Sequence, residues 1–125
     1  MTPEVARYPY ETAITAYGNG GFRFAEMSHR GSVLCSPSGV YAWSATSAEG
    51  LDAEDIDFLL SRLDPPITVL LGTGVTQVWP SPEVYAAFAK AGIGLEPMST
   101  GAAARTYNIL IAEKRTIAAA LIAVP

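Results

Sequence analysis

The chain has 125 residues, half of them apolar and only 16% charged, with a formal net charge of -4. That length suits a single domain spanning residues 1–125, the low charge excludes a disordered chain, and the lack of a basic run argues against DNA or RNA as partners. One cysteine, Cys35, and one histidine, His29, allow no internal disulfide and too few soft ligands for zinc, so no metal or other cofactor is expected.

The opening residues hold neither an apolar signal core nor an arginine-rich leader. The longest apolar run, residues 117–124, is far short of the roughly 20 residues that a membrane helix needs. A cytoplasmic protein without membrane insertion is the expectation. Residues 12–17 alternate enough for an edge strand, residues 22–27 alternate again, and residues 32–36 and 40–43 follow across Gly31 and Pro37-Ser38-Gly39. Short strands joined by Gly and Pro turns predict a β meander in the first third.

Asp52 opens a helix over residues 53–63: it can cap free N–H groups, Leu51 can staple onto Ile56, and Ile56, Leu59, Leu60 and Leu63 fall at i, i+3, i+4 and i+7. Asp64-Pro65-Pro66 stops it, because a residue before proline is pushed out of the α region. Residues 67–71, Ile-Thr-Val-Leu-Leu, then read as a central strand covered on both faces. Ser81-Pro82 starts a helix over residues 82–91 that Gly92 ends, residues 93–96 form a brief strand, a third helix runs from Thr100 to about Ala112, and residues 116–124 make the last strand. Alternating strands and helices predict an α/β layered domain with helices on both faces of the sheet.

Two features carry candidate chemistry. Gly72-Thr73-Gly74 lies at the carboxyl end of the buried strand, where open α/β sheets bind ligands, yet it lacks the spacing of a dinucleotide or phosphate loop and fits better a tight turn out of the core. On the third helix, Gly101, Ala104, Arg105, Asn108 and Ala112 share one side, so small residues frame an arginine and an asparagine as if something approaches the backbone closely. Arg105 and the helix N-terminus could hold a small anion weakly, or Arg105 and Asn108 could satisfy loop carbonyls. Trp79, in the loop before Pro80, could greet a partner, whereas the acids around Asp52 are explained by the helix start. No residue set suggests a catalytic centre.

The segments Leu70-Leu-Gly-Thr-Gly, Pro80-Ser-Pro-Glu, Gly92-Ile-Gly-Leu-Glu-Pro-Met and, above all, Thr100-Gly-Ala-Ala-Ala-Arg-Thr-Tyr-Asn resemble a small family of bacterial and archaeal domains that includes the mitochondrial respiratory complex I assembly factor three. The resemblance implies a three-layer α/β domain: a central mixed sheet flanked by helices, with an additional N-terminal β meander. It also implies an assembly or binding role rather than catalysis, with a protein partner such as a membrane-complex subunit or its assembly intermediate, and it transfers no catalytic residue and fixes no oligomeric state. Ala104 departs from the family's pattern, in which many relatives carry cysteine, and Val75-Thr76 stands where basic residues often follow the glycines. The expected surface comprises Gly72, Thr73, Gly74, Trp79, Thr100, Gly101, Arg105 and Asn108, with a small anion or an enzyme substrate in the same cleft as the competing reading.

Overall fold

The computed structural model describes residues 6–125; residues 1–5, at the head of the leader reading, lie outside the described residues. Two sheets form. Strands β1 (Ala16–Gly18), β2 (Gly21–Phe24) and β3 (Met27–Arg30) make an antiparallel meander. A five-stranded mixed sheet has the order β5-β4-β8-β6-β7, in which β4 (Ser32–Ser36) pairs antiparallel with β5 (Gly39–Trp43) and β8 (Ile117–Leu121), while β6 (Ile67–Gly72) runs parallel to β8 and β7 (Ile93–Met98).

Successive residues of β6 face opposite ways, and each side meets its own layer. Val69 and Leu71 join a core with Ile56 and Leu59 of α1 (Ala53–Leu60) and Val84 and Phe88 of α2 (Pro82–Ala91). Leu70 points to the other core, with Ala103 and Tyr107 of α3 (Thr100–Ala112) and with Phe22 and Phe24 of the meander. Helices therefore cover both faces, as expected. Each large side chain fully buried this way contributes roughly 1.5–3 kcal/mol, so the two cores hold the layers together.

The helix starts follow their sequence signals, although Ser81 makes no side-chain cap bond at the start of α2. Asp52 Oδ1 accepts from Asp55 N at 2.9 Å while Asp55 Oδ2 accepts from Asp52 N at 3.1 Å, a reciprocal capping box. Helix α2 has Pro82 in its first turn and Gly92 at φ 72°, the left-handed stop that glycine adopts without strain.

Six expectations shift in detail, two of them only in length: the 93–96 strand runs on to Met98 and the 116–124 strand spans Ile117–Leu121. The 67–71 strand is interior, but the middle position belongs to β8, whose Ala118, Ala119 and Ala120 are all buried. The 53–63 helix ends at Leu60, after which Arg62 N and Leu63 N bond three residues back and the chain tightens into a turn that still buries Leu63. The alternating run 22–27 folds back on itself at Ala25-Glu26, where φ of 48° and 63° builds a two-residue hairpin turn without glycine. Ladder pairing in the 12–17 run begins only at Ala16, because the Ile14 backbone is bonded instead to the side chain of Asn108.

Candidate functional site

The carboxyl end of β6 meets the start of α3 in a closed set of hydrogen bonds. Buried Thr100 donates its hydroxyl to Ile122 O at 2.7 Å and accepts from Gly74 N at 3.0 Å, while its own N–H donates to Gly74 O at 2.8 Å. Thr73 Oγ1 donates toward Thr76 O at 2.8 Å and Met98 O at 3.2 Å and accepts from Val78 N at 2.9 Å. Gly72 is small for a reason: a Cβ there would sit 3.0 Å from the Thr100 Cα and from Leu121. These groups are engaged with the fold itself. Ser99 caps α3 by accepting from Ala102 N at 3.3 Å, so two of the helix's first free donors, on Thr100 and Ala102, already have acceptors.

Further along α3 the small-residue side is covered by the meander. Tyr17 of β1 lies directly on Gly101, where a Cβ would push its phenol aside, and Arg105 Nη1 donates to Tyr17 Oη at 3.4 Å. Asn108 accepts from Ile14 N through Oδ1 at 2.9 Å and donates through Nδ2 to Ile14 O at 2.7 Å. Its amide thus replaces a neighbouring strand for Ile14, which is why regular pairing starts two residues later. Ala104 is buried in the same contact, and Arg105 is exposed beside it. A cleft of about 400 Å³ runs between β1 and α3, lined by Thr15, Tyr17, Ala104, Arg105 and Asn108.

Trp79 stands apart from that cleft. It is 70% exposed and Val75 is 72% exposed, both on the loop between β6 and α2 that Thr73 and Val78 tie down. The expected surface is therefore three things: a hydrogen-bonded junction (Gly72, Thr73, Gly74, Thr100), a helix face under β1 (Gly101, Arg105, Asn108), and an exposed loop carrying Trp79. Contacts through Gly74, Thr100, Gly101 and Tyr17 connect them.

The titratable groups follow burial. Cys35, fully buried in β4, has its thiol pushed up to about 12 by desolvation, which leaves it a small apolar core residue. His29 is held below its usual range, first by burial and also by the charge of Arg7, against a raising hydrogen bond from Nε2 to Ser32 O at 3.2 Å. Burial also drives the Tyr107 phenol upward, and its hydroxyl has no hydrogen-bond partner among the described residues. No group of three or more potential metal ligands occurs among the described residues.

Two residues that sequence reasoning passed over are Arg23 and Arg30. They are seven apart, but the register sets Arg23 opposite Ala16 and Ser28, and Arg30 opposite Gly21, so both fall on the outward face of the meander. Their common phase, an odd-numbered offset across a two-residue turn, is the signal that a correct hairpin assignment would have exposed.

A family model described as Protein of unknown function (DUF498/DUF598) matches residues 14–122. The chain belongs to this family. Among its similar proteins, an uncharacterized protein of Rhodobacter capsulatus is 30% identical over all of this chain and 95% of its own length. The NADH dehydrogenase (ubiquinone) 1 alpha subcomplex assembly factor 3 of Danio rerio is 35% identical over 91% of this chain, which spans 66% of that relative. A crystal structure named as an outer membrane protein from Bartonella henselae aligns with TM-score 0.86 and 47% identity, covering 95% of this chain and all of its own. The resemblance seen in the sequence segments holds. The DUF498/DUF598 match contains every residue of the expected surface. Among the described residues no helix is long and apolar enough to cross a membrane, although the Bartonella relative carries a membrane protein's name.

Proposed function

We propose that this DUF498/DUF598 member is a non-enzymatic binding or assembly factor that docks a protein partner, such as a membrane-complex subunit or its assembly intermediate, on the loop between β6 and α2. The observation that carries this reading is the pairing of Val75 and Trp79, two large apolar side chains held out to solvent by a loop whose polar groups are tied inward by Thr73. A tryptophan presented from a braced loop loses little conformational freedom on binding and suits the apolar centre of an interface. In this reading Gly72, Thr73, Gly74 and Thr100 shape the loop, Gly101 and Asn108 seat β1, and Arg105 lies apart in the cleft beside β1. The name of the zebrafish relative, an assembly factor for an NADH dehydrogenase subcomplex, supports the class of partner.

The test is site-specific photo-crosslinking in the native cell from a benzophenone amino acid at position 79, with the same probe at exposed Ala89 on α2 as control. A discrete protein adduct from position 79 and none from position 89 is expected. Equal adduct patterns from both positions, or a protein that co-purifies with a small anion and forms no protein adduct, would count against docking and favour a ligand-binding role for the Arg105 cleft.

A further inference from the structure

The outward face of the meander is a second surface, separate from the loop. Its floor is Ala16, Gly18, Gly21 and Ser28, and a cleft of about 470 Å³ stands over it, within the size range of small-ligand sites. The bareness has a backbone cause at Gly21, where a Cβ would collide with the His29 carbonyl. The charges have no such cause. Arg23 on β2 and Arg30 on β3 are diagonal neighbours on this face, within reach of one another's long side chains. Arg23 gives only its Nε to Ser28 Oγ, at 3.0 Å, and the Arg30 guanidinium has no hydrogen-bond or ion-pair partner among the described residues. The cleft lining contains no acidic residue, although the chain has 12 acids and only 8 basic residues. Asn19 completes the polar lining, while the His29 side chain turns to the inner face with Phe22.

We propose that this face binds a small organic phosphate, gripped between the guanidinium forks of Arg23 and Arg30. A carboxylate has two oxygens and one charge, which a single arginine fork saturates. A phosphate monoester brings three terminal oxygens and nearly two charges, enough for two forks at once. A lipid surface fits less well, because the face has no large apolar side chain to insert and the chain's net charge of -4 opposes an anionic membrane.

The experiment is a two-dimensional amide NMR titration with phenyl phosphate, run beside benzoate and phosphatidylglycerol vesicles. Saturable shifts confined to β1, β2 and β3 with a Kd of about 1 mM or lower are expected for phenyl phosphate, with little response to benzoate or vesicles. Arg23→Gln and Arg30→Gln should each weaken binding about tenfold, and Arg23→Lys, which keeps charge but loses the fork, should weaken it by a factor of about three or more. Arg105→Gln should leave it unchanged. All variants lie at exposed positions, and retained spectra outside the meander report an intact fold. Absence of saturable shifts, shifts surviving in the double Arg23→Gln/Arg30→Gln variant, an equal response to benzoate, binding to vesicles alone, or loss of binding in Arg105→Gln would each overturn the proposal. None of these outcomes depends on crosslinking at position 79, so the two readings fail separately.

Discussion

At the junction of β6 and α3 the polar groups face inward; on the outer face of the meander they face solvent with little to hold them. Thr100 uses its hydroxyl twice and its amide once within the fold, and Asn108 uses both ends of its amide on Ile14. Arg30 uses its side chain on no described residue, and Trp79 and Val75 extend into water. The contrast shows that position at the carboxyl end of a sheet, the usual place for a ligand, does not by itself make a site; there the hydrogen bonds must be available, and here they are already made. Groups without internal partners are the ones free to recognise something else.

The sharpest way to break this contrast is Thr100→Val, which keeps the shape and removes the hydroxyl. Gly74 N–H and Ile122 C=O then lose their partner in a buried setting, and urea unfolding should register a loss of about 3 kcal/mol. Asn108→Ala comes next. It strips both bonds from the Ile14 backbone in a half-buried place, with an expected loss of about 2 kcal/mol, and fluorescence or NMR should show β1 loosened from α3.

His29 provides a pH-dependent check on the meander's inner side. Its folded-state pKa is lowered, so the unfolded chain takes up the proton first as pH falls; the stabilisation is fully present above about 6.5 and is lost below it. Melts between neutral and mildly acidic pH should fall in wild type by at most about 1.4 kcal/mol per pH unit from this group, and His29→Gln should flatten that dependence. Smaller still is Tyr107→Phe, which removes a buried hydroxyl that has no partner among the described residues and should leave stability unchanged or raise it by about 1 kcal/mol. At the exposed end of the scale, Trp79→Ala and Arg105→Ala should each alter unfolding by less than about 0.5 kcal/mol, since neither is buried.

The parts of this architecture that were legible in the sequence are those fixed by local chemistry. Asp52, Ser81-Pro82 and Gly92 mark helix ends because caps and stops depend on one or two residues, and the Ile67 strand shows because a run of β-branched residues and leucines cannot face water. The last strand was read as a strand, but its central place was hidden, since the small side chains of Ala118-Ala119-Ala120 do not announce that β4 and β6 flank it on both sides. The turn at Ala25-Glu26 was hidden for a related reason: neither residue is a usual left-handed one, so the hairpin is imposed by pairing across it. For the site, the small face of α3 correctly announced a close approach, but the approaching group, Tyr17, lies 84 positions from Gly101 in the chain and could be identified only in three dimensions. The same holds for Arg23 and Arg30, whose shared face follows from register rather than spacing.

The central claim is that the β6–α3 junction is part of the fold and the loop beside it is free for a partner. Native-state amide hydrogen exchange tests this most directly, residue by residue. The Gly74 amide, bonded to Thr100 Oγ1, and the Ile14 amide, bonded to Asn108 Oδ1, should open only with the same free energy as the amides inside β6 and β8, while the Val75 amide exchanges at the rate of an open loop. If Gly74 and Ile14 instead exchange as quickly as Val75, their hydrogen bonds are not held by the fold, and the junction returns as an accessible binding cleft.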